Sequence, residues 1–240
     1  MGIFSKKGVF PGLTIATGIV GFMMQCWLFS AVDNRGLLPR YHIAGIVSFL
    51  LLALTLAFCW LGARNAKALC TDTPFSAPTS AAGLGLAAAG FAFSAFAVTG
   101  VGFLRTVTPL CGILAAAALG CLAYCRFKGL RANCLLPCVI TVYLILRTMG
   151  SCSIWNSEPQ FQQYFFPLLA CIFLLMTSYY RAAVDLAVSP FKRWLFCSQA
   201  ALFCCCLCCR GSDWLFYLSG ALWLTFDFPT VPAKADICDE

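Results

Sequence analysis

Residues 43–63 read "IAGIVSFLLLALTLAFCWLGA", an uncharged and almost wholly apolar run. An α-helix needs about 20 such residues to cross a hydrocarbon layer about 30 Å thick. A barrel strand would instead alternate apolar and polar side chains over about ten positions. A helix also satisfies its own backbone hydrogen bonds, which lipid cannot do for it. This run is therefore read as a membrane-spanning helix, and the rest of the chain is read outward from it.

The pattern recurs. Of 240 residues 61% are apolar and 10% charged, where soluble domains average about a quarter charged. Eight apolar segments stand out: Phe10–Val32, Ile43–Ala63, Ser80–Phe103, Val107–Cys125, Cys134–Cys152, Tyr164–Ala183, Trp194–Cys209 and Trp214–Phe228. The expected fold is all-α, a polytopic integral membrane bundle forming one domain over residues 1–240, with eight transmembrane helices. The last two segments are short. "RGSD" (210–213) joins them in a tight turn, so they either span a thinned region or form a re-entrant hairpin. The halves 1–125 and 126–240 share no pattern of Pro, Gly and charge that would mark a repeat.

Charge sets the expected orientation. With the N-terminus inside, eleven basic residues fall in inner segments: Lys6, Lys7, Arg64, Lys67, Arg126, Lys128, Arg131, Arg181, Lys192, Arg193 and Lys234. Four (Arg35, Arg40, Arg105 and Arg210) fall outside, and Arg147 lies within a helix. This bias places both termini inside. The expected location is a cell membrane, read as a bacterial-type plasma membrane. The net charge of +7 is scattered between apolar runs, without the basic stripe and interleaved aromatics of a nucleic-acid surface, so no nucleic-acid partner is expected. The first segment is longer than a signal-peptide core and no A-x-A site follows it, which reads as a retained anchor. Gly2 lacks the Ser or Thr at position 6 that myristoylation favours, since Lys6 stands there.

Seventeen cysteines ask for an explanation. In "FCCCLCCR" (203–210) five of them spread over about 200° of a helix at 100° per residue, so they cannot all address one ion. Their scatter through nearly every segment reads as use of Cys as a small apolar side chain. "CLAYC" (121–125) and "CLLPC" (134–138) are each C-x3-C, and a short loop joins them. Cys121, Cys125, Cys134 and Cys138 are therefore the alternative soft-metal set, although zinc sites favour other spacings. No cofactor is expected.

Arg147 interrupts "VITVYLILRTMGSC" (139–152). A charge at a helix centre costs about 2.5–3.5 kcal/mol on insertion scales. Arg147 either snorkels to the outer headgroups or faces a polar site inside the bundle. Snorkelling outward would run against the tilt of helical Cβ atoms. Tyr143 and Ser151 lie one turn away on the same face, and Glu158, in the polar stretch "SIWNSEPQFQQY" (153–164), is the expected partner. Arg147, Tyr143, Ser151 and Glu158 form the candidate ligand site. Arg181 and Asp185 are spaced for an i,i+4 ion pair. Gln25 and Gln199 are expected to hydrogen-bond to neighbouring helices, and the small residues of "AAGLGLAAAGFAFSAFAVTG" (81–100) to allow close helix contact within the chain.

Catalytic signatures are missing: HExxH, GxSxG, GxxxxGK[ST] and GxGxxG do not occur, so no enzyme is expected. Two functional classes follow. One is a small-solute transporter or membrane-embedded binding subunit, with an anion as the solute that an arginine favours. The alternative is a structural or assembly partner in a membrane complex, including a homo-oligomer. The lipid bilayer is a partner in either case.

Overall fold

The computed structural model describes residues 9–32, 42–65, 77–97, 102–130, 132–155, 164–185 and 191–227. Among them the chain is all-α, with α1 (Val9–Ser30), α2 (Ile43–Asn65), α3 (Pro78–Phe96), α4 (Phe103–Lys128), α5 (Leu135–Trp155), α6 (Phe165–Asp185), α7 (Phe191–Leu207) and α8 (Trp214–Asp227). Six of them, α1 to α6, are long and apolar enough to cross a membrane. The protein is a multi-pass helical membrane bundle, and its outer faces meet lipid. Exposed Leu54, Phe93, Phe96 and Leu114 are ordinary on such a surface.

Contacts at the helix ends show that successive helices alternate in direction. At one end, Ala77 N donates to the Arg126 carbonyl and Lys192 Nζ to the Arg64 carbonyl. At the other, Arg210 Nη1 donates to the carbonyls of Gln25 and Cys26. These are called the Asp227 end and the Asp213 end, after the residues that bracket α8. The eight expected helices are all present, and α7 and α8 are the two outside the spanning set. At 1.5 Å per residue, α7 is about 26 Å long and α8 about 21 Å, short of a hydrocarbon layer of about 30 Å. The two run as an antiparallel hairpin within the bundle.

Position in the bundle accounts for the shortness. α7 packs against α1, α2, α6 and α8, and α8 against α3 and α7. All but a few side chains of α7 are buried, as are most of α8. Helices enclosed by protein need not match lipid along their own length. "FCCCLCC" therefore packs against protein: Cys204, Cys205 and Cys208 are buried, and Gly18 on α1 and Gly220 on α8 give way to Cys206 and Cys205.

The small residues of α3 are used inside the chain. Ser80, Gly83, Ala87, Gly90 and Ser94 form one buried stripe. A Cβ at Gly83 would collide with the Phe226 ring, and one at Gly90 with Ser219 Oγ. Ser80 Oγ donates to the Phe226 carbonyl. This face lets α8 approach closely, as van der Waals packing between membrane helices requires.

Two boundaries differ from the sequence reading. The third segment was expected to run to Phe103, but α3 ends at Phe96 and Phe103 opens α4 after Gly102 at φ 61°, a value that suits glycine. Arg105 therefore stands in the first turn of α4 and not in a loop. α4 continues to Lys128 and is closed by Gly129 at φ 66°, where Leu130 N donates to the Cys125 carbonyl, a left-handed glycine cap.

Candidate functional site

Arg147 is buried, 3% exposed. It does not snorkel. Nη2 donates to Asp213 Oδ1 at 3.1 Å. Nη1 donates to the Ser94 carbonyl and to Tyr143 Oη, both at 3.3 Å. The guanidinium carbon stands 4.0 Å from the centre of the Phe216 ring, a cation–π contact. The Ser94 carbonyl belongs to the last turn of α3, where it also accepts from Ala97 N and where the negative end of the helix dipole favours a cation. One arginine on α5 thus ties the ends of α3 and α8.

Of the four residues expected to form a site, the structure brings Arg147 and Tyr143 together. Ser151 is half-buried and is not among the hydrogen-bond partners given above. Glu158 lies outside the described residues; among those described, the carboxylate that meets Arg147 is Asp213. The side chain of Asp185 also lies outside them, and Arg181 reaches Asp227 Oδ2 at 3.6 Å. Asp227 Oδ1 meets Arg126 at 3.7 Å. Each end of α8 therefore carries a carboxylate joined to arginines of other helices.

Beneath Arg147, Phe91, Tyr143, Phe216 and Trp223 pack edge to face, with ring centres 5.5–6.4 Å apart. This layer lies beside the Arg147 guanidinium, which stacks on its Phe216 ring. Cys121 and Cys138 are exposed, while Cys125 and Cys134 are half-buried. No group of three or more potential metal ligands gathers among the described residues.

The cavity lies elsewhere. At the Asp213 end a space of about 320 Å³ is bounded by Gln25 and Phe29 of α1, Tyr164, Phe166 and Pro167 at the start of α6, and the α7–α8 turn from Leu207 to Asp213. The turn closes one side of it: the Arg210 side chain reaches the carbonyls of Gln25 and Cys26 near the end of α1, and the exposed Arg210, Gly211 and Ser212 form its rim. Gly211 has φ 79°, which lets the turn close tightly.

Three polar groups mark this recess. Arg210 is held by the α1 carbonyls and stacks on Phe29, 4.4 Å from its ring centre. Among the described residues it has no ion pair. Asp213 is paired with Arg147 on its far side, and its side chain is about one-third exposed (32%). Gln25 is 6% exposed, and its amide nitrogen has no hydrogen-bond partner among the described residues. The expectation that Gln25 and Gln199 bond to neighbouring helices is thus not met for the Gln25 amide nitrogen, nor for either amide atom of the fully buried Gln199. Their neighbours at these positions are mostly apolar side chains and already-paired backbone.

Sequence reasoning passed over Arg210, Asp213 and Gln25 as site residues. The available signal was "RGSD" itself: two opposite charges around a glycine between two segments too short to span. No family model, curated protein or solved structure matches this chain.

Proposed function

We propose that this protein is a membrane-embedded carrier or binding subunit for a small solute, which enters the recess above the α7–α8 turn. One observation carries the reading. Beside the recess stand an arginine without a counter-ion and a buried amide without a partner among the described residues, set among aromatic and aliphatic side chains in the form usual for small-molecule sites. The charge bias of the sequence puts this end outside a plasma membrane of bacterial type. In this reading the recess opens outward, and the Asp227 cluster and the aromatic layer close the path inward. Translocation would require those contacts to exchange.

Arg147 supports this role without binding the solute: its charge is balanced by Asp213. The role is one of binding and passage, without bond-making chemistry. The assembly alternative loses its best surface, because the small-residue stripe of α3 is occupied by α8.

Access is the test. Cys208 is buried, whereas Phe29 lines the recess and is half-buried. Intact cells carrying Phe29→Cys would be treated with a small, membrane-impermeant thiol reagent and the labelled positions mapped by mass spectrometry. Labelling at position 29, with Cys125 and Cys134 at the other end untouched, is expected. If Phe29→Cys stays unlabelled while an introduced Ser212→Cys on the rim reacts, the recess is closed to solvent and the reading fails.

A further inference from the structure

The geometry points to a small monocarboxylate with an apolar body as the ligand of this recess, an inference that rests on the solute-binding reading above. Two donors at the recess lack full partners among the described residues. Gln25 Nε2 has no acceptor and is closed to solvent, so it meets a ligand only when the Gln25 side chain turns into the recess. Arg210 spends one nitrogen, Nη1, on the carbonyls of Gln25 and Cys26 at 3.3 Å, and its remaining N–H groups meet no carboxylate. Five donors in a planar fork suit a carboxylate in particular. Asp213 does not cancel this preference, because its charge is already opposed by Arg147 at 3.1 Å. Among the described residues, Arg147, Asp213 and Arg210 together carry one net positive charge beside the recess, which suits a single negative charge.

The rest of the wall sets the other half of the ligand. Phe29, Tyr164, Phe166, Pro167 and Leu207 present apolar surface. An inorganic anion would leave that surface wetted, and a polyanion would exceed the available positive charge. A carboxyl group on a short hydrocarbon body satisfies both parts. Gln25 and Arg210 are also joined through the Gln25 backbone, so the two donors hold a common position on α1.

Three compounds of one skeleton separate the chemistries: 4-methylpentanoate (carboxylate alone), L-leucine (carboxylate plus ammonium) and 3-methylbutylamine (ammonium alone). Binding of each to the purified full chain in phosphatidylcholine nanodiscs would be measured by equilibrium dialysis. A further arm adds oleate to the nanodiscs, because a carboxylate with an apolar body could arrive from water or from the bilayer. Binding of 4-methylpentanoate is expected, weakened roughly tenfold in Gln25→Leu and in Arg210→Gln, the scale of a lost hydrogen bond to a charged group. The amine should not bind.

Competition by oleate against 4-methylpentanoate would keep the carboxylate assignment and place its source in the lipid. Tighter binding of L-leucine than of 4-methylpentanoate, binding of the amine, or no binding of any probe would overturn the assignment. So would carboxylate binding that both variants leave unchanged. Labelling of Phe29→Cys from outside tells the failures apart. If it persists, only the ligand class is wrong; if it is absent, the recess is not a site.

Discussion

The two ends of α8 carry the same chemistry and solve it differently. Asp213 immediately precedes the helix, and its carbonyl accepts from Phe216 N and Tyr217 N. It therefore sits at the positive end of the helix dipole, one-third exposed, and a single arginine suffices for it. Asp227 is the last residue of the same helix, at the negative end, and its side chain is 6% exposed. There the dipole opposes the carboxylate, by typically 0.3–1 kcal/mol, and two arginines converge on it, Arg126 from α4 and Arg181 from α6. The difference teaches that the Asp227 end is a closed tie among three helices, whereas the Asp213 end leaves part of its carboxylate beside an open recess.

Removing Asp227 should break this contrast most severely. Asp227→Asn leaves two guanidinium groups facing each other with little water. Stripping one partner from a buried ion cluster costs about 3–5 kcal/mol. Thermal or denaturant unfolding in detergent should show a loss of that order, with a smaller one for Arg126→Gln, which leaves Arg181 in place. Equal losses for Asp227→Asn and Asp213→Asn would mean that the ends do not differ as described.

At the other end the two partners should be unequal. Asp213→Asn strands a guanidinium that is 3% exposed and should cost roughly 1.5–3 kcal/mol. Arg147→Leu strands a carboxylate that still meets solvent and the helix dipole, so its loss should be smaller. The double variant should be more stable than the sum of the two changes implies, since residues in one ion pair couple by about 0.5–3 kcal/mol. Glu158→Gln should simply add to Arg147→Leu. A strong coupling with Glu158 and none with Asp213 would restore the partner expected from sequence.

Along the shaft of α8, α3 offers a finer comparison. Gly90→Ala would place a Cβ 2.0 Å from Ser219 Oγ and should destabilise by about 1–3 kcal/mol through overpacking. Gly85→Ala, five residues earlier with nothing within 4 Å, should gain up to about 1 kcal/mol of helix propensity. Unfolding midpoints that shift in the same direction would show that α3 does not meet α8 on the Gly90 face.

The smallest effects concern the cysteines. Cys121→Ala and Cys138→Ala, at exposed positions, should change stability by less than about 0.5 kcal/mol. Cys205→Ala, fully buried against Gly220, should cost about 1 kcal/mol, the scale of one deleted buried methyl-sized group. The same unfolding assay ranks the three. A larger loss at Cys121 or Cys138 than at Cys205 would point to a role beyond filling space.

Much of the fold was legible before any coordinates. Segments such as Ile43–Ala63 and Tyr164–Ala183 reappear as α2 and α6 within a few residues. Lipid obliges each span to pair its backbone internally, so every helix is written locally in its own run of apolar residues. The shortness of the last two segments was legible too, and the turn between them borders the recess. The site was not. Arg147 announced itself as a buried charge, but its partner lies 66 positions away, and Gln25 meets Arg210 across 185.

A multi-pass helical bundle, the course of each helix and one arginine to be accommodated within it are all written in the chain's local composition, over a single turn or a single span. That α7 and α8 stand inside the bundle, that their turn borders a recess, and which charges meet at each end of α8 depend on how the helices pack. Packing between helices decides such matters, because side chains on helices far apart in the chain meet only when the interlocking of small and large residues, such as Gly83 with Phe226 and Gly90 with Ser219, sets the register between them.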